Sequence, residues 1–369
     1  MRGWDFRMGL LEVMSQFCMK GSDNNMPKPR ETFKNKITSD EITEKFNPEN
    51  QKLVNKYLKN LATKRSPQTV KGYTSDFNIF FTWNYLYNDN ALFTEMKKLD
   101  MQDFFDFGIT ELGWKSNRYA RCHSALSELS KFIEKFYDDE YPNFRNLLKF
   151  VDKLPKENSR EKSVFKKEEL DHLMDELGKI GKVNEQCLLA LIMASGARVS
   201  ELVRFTTDMI DYDNTAFDGI FLETTSKLKV KGRGVDGKYI ERYIIKDLFV
   251  PYYEKYLPIR KEIMEKNGKD HNFIFVKKNG DPAVTETIRS WMEKWDKYLD
   301  KHWYPHSGRH FWTSYLSSIG LEKELIQELQ SWSSSELVDV YNDNTAKDKK
   351  WKSLGKLKDA LAQETKDSE

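Results

Sequence analysis

The chain has 369 residues, room for two or three domains that each bury a core. Charged residues make up 32% and aromatics 13%, but the net charge is only +2, so any nucleic-acid footprint has to be a local patch rather than a bulk property. The three cysteines, Cys18, Cys122 and Cys187, are far apart and lack paired spacing, which argues against a disulfide framework and a structural zinc and for a reducing, cytoplasmic setting. The longest strongly apolar run, Cys187 to Ala194, is far too short to span a bilayer, so no membrane partner is expected. The first twenty or so residues have acidic and polar breaks and no small-residue cleavage site, unlike a signal peptide.

In chain order, residues 1–46 read as an N-terminal extension, flexible or serving as an arm or assembly segment: a weak apolar pattern is followed by the polar stretch SDNNMPKPRETFKNK. Residues 47–154 read as a compact four-helix module. Ser66-Pro67 supplies an N-cap and a first-turn proline for a helix carrying Tyr73, Phe77, Phe80 and Phe81. MQDFFDFGITELG, RYARCHSALSELSKFIEKFY and NFRNLLKFVDKL are predicted as the remaining helices. The polar, proline-started segment 155–163 reads as a linker.

Residues 164–369 form the second predicted domain. It opens with the amphipathic KKEELDHLMDELGKI and the apolar NEQCLLALIMASG. The period then changes: GIFLETTSKLKVKG and KYIERYIIK are predicted as two strands joined at Gly232-Arg233-Gly234. Helical pattern returns over Pro251–Gly268, over Thr285–His302, through HSGRHFWTSYLSSIG and in EKELIQELQ, and Trp351, Leu354, Leu357 and Leu361 mark an amphipathic tail helix. The predicted fold class is mostly α with a small β-sheet, a helical domain followed by a mixed α/β domain.

Four residues can be read together. Arg198 lies in SGARVSEL with Glu201 three residues on, close enough for the carboxylate to hold the guanidinium, although a surface helix pair explains the same spacing. His306 and Arg309 in HSGRH share that spacing, so a helix would turn both toward one ligand. Arginine offers a planar fork for two phosphate oxygens, and histidine can move a proton. His310 is read as packing or supporting the neighbouring helix. Tyr341 follows Trp332 in SWSSSELVDVY; a tyrosine at a helix end is ordinarily packing, but one beside two arginines and a histidine is a nucleophile suited to a phosphodiester. No His, Cys or carboxylate cluster has metal-ligand spacing.

This ordered set, Arg198, His306-x-x-Arg309, Trp332 and Tyr341, resembles the tyrosine recombinase (phage integrase) family over about residues 164–350, and the helical module resembles the family's SAM-like core-binding domain by pattern. The resemblance implies a site-specific recombinase in which Arg198 and Arg309 clamp the scissile phosphate of double-stranded DNA and His306 assists proton transfer. Trp332 would pack or hydrogen-bond near the phosphate, and Tyr341 would form a 3′-phosphotyrosine, with neither metal, ATP nor another cofactor. It also implies a lysine general acid in the β-hairpin. Lys227, Lys229 and Lys231 share one strand face by period two; Lys231, beside the turn, leads, and the other two stay open. From Lys227 to Arg242, six basic residues face two acidic ones, so Lys227, Lys229 and Arg233 are candidate DNA contacts, as are Arg118 and Arg121 in the helical module, where a solvated helix face is the competing reading. A homotetramer on DNA, joined by the tail helix, and accessory DNA-bending factors belong to the same expectation. Two residues depart from the family pattern: Ser331 stands where glycine is common, and Gly308, inside HxxR, is expected to loosen its helix start. A catalytically silent DNA-binding regulator on the same fold, and a type IB topoisomerase, are the competing functions.

Overall fold

The structure is a computed structural model and describes residues 37–155, 164–230, 232 and 237–342. The N-terminal extension up to residue 36, most of the linker, Lys231, Arg233 and the tail helix lie outside the described residues.

Two large hydrophobic cores form among the described residues, and a smaller third cluster, with Trp312, Leu316, Ile326, Leu329, Trp332 and Val338, has Tyr341 packed against it. The first is helical: α1 (Asp40–Thr43), α2 (Pro48–Ala62), α3 (Pro67–Tyr87), α4 (Lys98–Thr110) and α5 (Ser116–Phe136). Ser66 caps α3 by accepting from the Thr69 amide, with Pro67 in the first turn where no amide is needed. Phe77, Phe80 and Phe81 of α3 are buried, and Phe80 meets Phe104 of α4 edge to face at 4.8 Å. The expected helix at NFRNLLKFVDKL is only a 3-10 turn, Leu147–Phe150, and α2 supplies the fourth long helix instead. The turn is tied down by Asn146, which accepts from the Leu148 amide and donates to Ser127, 19 positions earlier.

The second core is built around α7 (Val183–Ser195), whose residues Cys187 to Ser195 are all buried, as expected of a helix apolar all round. Helices α6 (Lys167–Lys179), α9 (Lys246–Lys266) and α11 (Ser307–Ser318) pack around it, and α10 (Thr285–Met292), α12 (Lys323–Leu329) and α13 (Glu336–Tyr341) complete the set. The predicted helix over Thr285–His302 is shorter, ending at Met292 with a 3-10 turn at Trp295–Lys297. A one-turn helix α8 (Val199–Leu202) follows α7.

Each of the two predicted strands is broken in the middle. β1 (Thr215–Ala216), β2 (Phe221–Glu223) and β5 (Tyr243–Ile245) make an antiparallel sheet in the order β1-β2-β5, while β3 (Leu228–Val230) and β4 (Lys238–Ile240) form a separate hairpin with Lys229 opposite Tyr239. The second break falls at Glu241-Arg242, and Arg242 turns inward there to 1% exposure. No described helix is long and apolar enough to cross a membrane.

Candidate active site

Arg198 is placed by the end of α7. Gly196 caps that helix in the left-handed region at φ 57, and a Cβ there would sit 2.7 Å from Gln330 Nε2 and 2.9 Å from Trp312 Cγ, so both the turn and the space demand glycine. The chain then enters α8 with Arg198 as its N-cap residue. Glu201 accepts from the Arg198 amide at 3.0 Å through Oε2 and from Arg198 Nη1 at 2.8 Å through Oε1. The pair expected on a helix face is thus a cap, more rigid than a surface i,i+3 contact because backbone and side chain are held together.

Helix α11 brings Arg309. His306 stands at its N-cap, exposed, and its carbonyl accepts from the Arg309 and His310 amides. Arg309, one turn in, is 1% exposed: Nη1 donates to Gly196 O at 3.1 Å, whereas Nε and Nη2 are buried without a partner among the described residues. Buried donors left unmatched cost about 1–3 kcal/mol each, more when charged, so this side chain is shaped for an acceptor brought from outside. Gly308 does not loosen the helix. A Cβ on it would lie 2.1 Å from Ile192 Cγ2, so glycine is what lets α11 close on α7.

Trp332 and Tyr341 come from the following turn and helix. Helix α12 ends in a Schellman arrangement, the Trp332 amide donating to Gln327 O at 3.0 Å and the Ser331 amide to Glu328 O at 2.8 Å, with Ser331 in the left-handed region at φ 50. That conformation is the one glycine adopts most readily, and serine adopts it here. The turn buries Trp332 with its indole N–H unpartnered among the described residues, stacked on Tyr341 at 5.2 Å between ring centres and 25° between planes. The Arg309 guanidinium lies 4.9 Å from the Trp332 ring and 5.5 Å from that of Tyr341. His310, buried, packs on Tyr341 at 4.9 Å, and His306 approaches it at 6.4 Å. His306, Arg309, His310 and Trp332 therefore all lie against the Tyr341 ring, and Arg309 is tied through Gly196 O to the turn that carries Arg198.

Two further residues belong to the cluster and carried no pattern in the sequence. Arg242 contacts Glu201 Oε2 through Nη2 and donates to Gln330 Oε1 at 2.8 Å; Gln330 donates to Ser195 O at 2.8 Å. A lone arginine in the otherwise aromatic and apolar RYII was the one available hint. Burial alone would raise the Glu201 carboxyl, but Arg242, Arg198 and Arg309 together bring it down to about 2. Burial, then Arg198 and Arg242, weaken the hold of Arg309 on its proton. Two guanidiniums thus contact one carboxylate and a third lies within its electrostatic reach, and the surplus positive charge calls for an anion.

The other expected residues lie elsewhere. Lys227 is exposed and pairs with Glu241 at 3.5 Å, Lys229 lies over the Tyr239 ring at 5.9 Å, and Lys238 Nζ reaches Ser331 O at 3.2 Å. In the helical module Arg118 and Arg121 both engage the buried Asp76, Arg121 through Nη2 at 2.8 Å and Nε at 3.1 Å.

The sequence matches the phage integrase family over residues 163–348. It is 25% identical over 278 residues to the SPbeta prophage-derived recombinase-like protein YomM of Bacillus subtilis (strain 168), covering 74% of this chain and 78% of that one. To tyrosine recombinase XerC of Oceanobacillus iheyensis it is 26% identical over 288 residues, covering 76% and 87%. Among solved structures, the Tn1549 transposon integrase in complex with transposon right end DNA superposes with a TM-score of 0.59 at 15% identity, over 83% of this chain and 99% of that one. The XerH recombinase in its post-cleavage complex gives 0.59 at 13% identity, over 78% and 90%. These two likenesses establish a shared fold.

Proposed function

The chain belongs to the phage integrase family of tyrosine recombinases, and on that premise we propose that it cleaves and rejoins double-stranded DNA at specific sites through a 3′-phosphotyrosine on Tyr341. Tyr341 Oη attacks the phosphorus, the bond to the 5′-oxygen breaks, and that oxygen leaves as a hydroxyl after taking a proton. His306 assists the transfer of the phenol proton, and a hairpin lysine, with Lys231 preferred over Lys229 and Lys227, protonates the leaving oxygen. Arg198 and Arg309 bind the non-bridging oxygens and stabilise the charge that grows on them, the part that a metal plays elsewhere. The phosphoryl bond is conserved in the covalent link, so a new 5′-hydroxyl can reverse the step without ATP.

One observation carries this reading: Arg309 is almost wholly buried beside Tyr341, yet two of its donor atoms have no partner among the described residues. A packing arginine is ordinarily satisfied, and Arg242, which the reaction does not touch, leaves only Nε without a partner among the described residues. The basic hairpin and the Arg118–Arg121 edge are the proposed DNA contacts, and a tetramer on DNA the proposed assembly.

The test begins with a duplex selected from a random-sequence library by the Tyr341→Phe protein, which binds without cutting. Nicked near its centre and mixed with the wild-type protein, that duplex should yield a covalent adduct that survives denaturing electrophoresis. Tyr341→Phe should give none while binding equally well. Tight specific binding with no wild-type adduct would instead establish a silent DNA-binding regulator, and relaxation of plasmids lacking the site would point to topoisomerase chemistry. Replacing each hairpin lysine and restoring cleavage with a 5′-thiol leaving group identifies the general acid.

A further inference from the structure

Arg242 is a buried charge that the reaction as written does not use. It occupies the gap between β4 and β5 at 1% exposure, its amide donating to Thr224 Oγ1 at 2.9 Å. From there its guanidinium joins two parts of the site. Nη2 contacts Glu201 Oε2, whose partner oxygen Oε1 holds Arg198 Nη1 at 2.8 Å. Nη1 donates to Gln330 Oε1 at 2.8 Å, and Gln330, itself 3% exposed, is anchored on Ser195 O at 2.8 Å and immediately precedes the turn that buries Trp332.

Simple charge neutralisation does not account for this arrangement. Glu201 already has Arg198 as an ionic partner, and removing a second guanidinium from water carries a desolvation cost that an apolar side chain would avoid. What a planar fork adds is direction, because it reaches two acceptors at a fixed angle. We propose that Arg242 is a positioning residue: it braces Glu201 from behind so that Arg198 is presented to the scissile phosphate, and through Gln330 it ties the hairpin to the turn that carries Trp332. The inference rests on the recombinase reading of the site.

Its test does not require cleavage. In the Tyr341→Phe protein, the selected duplex is compared with a series in which single central phosphates are replaced by uncharged methylphosphonates. At the phosphate engaged by Arg198, neutralisation should weaken binding about tenfold, the size of one charge-assisted hydrogen bond. Arg242→Met should flatten that preference as far as Arg198→Ala does, and the double variant should go no further, since both act through one contact. Because Arg242→Met leaves Glu201 with one ionic partner fewer, Glu201→Gln/Arg242→Met serves as the control: its melting temperature should return toward that of the parent while the phosphate preference stays lost.

Retention of the preference in Arg242→Met overturns the proposal. So does an additive loss with Arg198→Ala, or a preference restored together with stability in the double variant, which would reduce Arg242 to a counter-charge. A wild-type protein that forms no adduct but keeps the Arg242-dependent preference would reject the cleavage chemistry and leave the positioning role standing. Failure to enrich any duplex would overturn both.

Discussion

In the helical module Asp76 of α3 is fully buried and engaged by Arg118 and Arg121 of α5; in the second core Glu201 of α8 is fully buried and engaged by Arg198 and Arg242, with Arg309 behind them. The ion-pair chemistry is the same, but the exposure of the cations differs. Side-chain exposure is 23% for Arg118 and 51% for Arg121, so their outer N–H groups meet solvent and the excess charge is dissipated there. Around Glu201, Arg198 is 25% exposed, much like Arg118, but Arg242 and Arg309 are each 1% exposed, so two of the three charges there are held away from water. The carboxyls respond in opposite directions. Burial pushes Asp76 up to about 6 against the pull of Arg121, whereas the arginines around Glu201 overcome burial and bring it to about 2. A carboxylate with half-exposed arginines anchors a basic edge in contact with solvent; a carboxylate outnumbered by buried arginines leaves an excess of positive charge in the interior.

The largest effect that would break this contrast comes from replacing one arginine on each side. Arg309→Met should slow adduct formation within the bound complex by about 10²–10³-fold, the usual loss when a preorganised charge at a developing oxyanion is removed. Arg121→Met should leave that rate unchanged, weaken DNA binding and reduce the slope of log affinity against log salt by about 1. Equal rate losses in the two variants would show that the clusters do not differ in kind.

Next in size is the helix contact that seats Arg309. Gly308→Ala must move Ile192, and overpacking of this sort costs about 1–3 kcal/mol, offset in part by the roughly 1 kcal/mol that alanine gains over glycine in a helix. A lowered melting temperature with slower adduct formation is expected; an unchanged protein would mean that α11 and α7 can part freely.

The pH dependence sharpens the contrast by sign. Glu201 titrates lower when folded than its ordinary 4.5, so its contribution to stability is present above pH 4.5 and is lost as pH falls toward 2. Asp76 titrates higher when folded than its ordinary 3.8, so its contribution is present below that value and is lost as pH rises through about 6. Calorimetric melting should therefore show the deficit of Asp76→Asn growing from pH 6.5 to pH 4, while that of Glu201→Gln stays level and shrinks only at lower pH. Parallel profiles would contradict the assignment.

The smallest effect concerns Ser331. Glycine accepts its φ of 50 without strain but has more freedom to lose on folding, so Ser331→Gly should change stability by less than about 1 kcal/mol and leave adduct formation intact. A large loss of activity would mean that the serine hydroxyl has a role of its own.

Much of this molecule is local in origin and therefore legible along the chain. The Ser66-Pro67 start of α3 and the all-apolar α7 each depend on residues within a few positions of one another. The set Arg198, His306, Arg309, Trp332 and Tyr341 was legible through its order and its short spacings, His306-x-x-Arg309 and Trp332 to Tyr341, and the fold gathers His306, Arg309 and Trp332 against the Tyr341 ring. NFRNLLKFVDKL misled because its apolar period fits a helix, while the Asn146 and Ser127 contacts that hold it as a turn are long-range. The strand breaks were hidden for the same reason, since β2 leaves β3 in order to pair with β5. Arg242 and Gln330 are 88 positions apart and belong to no period, motif or turn. Sequence by itself determined the family, because the motif residues recur in order at characteristic spacings. Only the tertiary structure decided which charges are buried together, because burial depends on what the rest of the chain places on top of them.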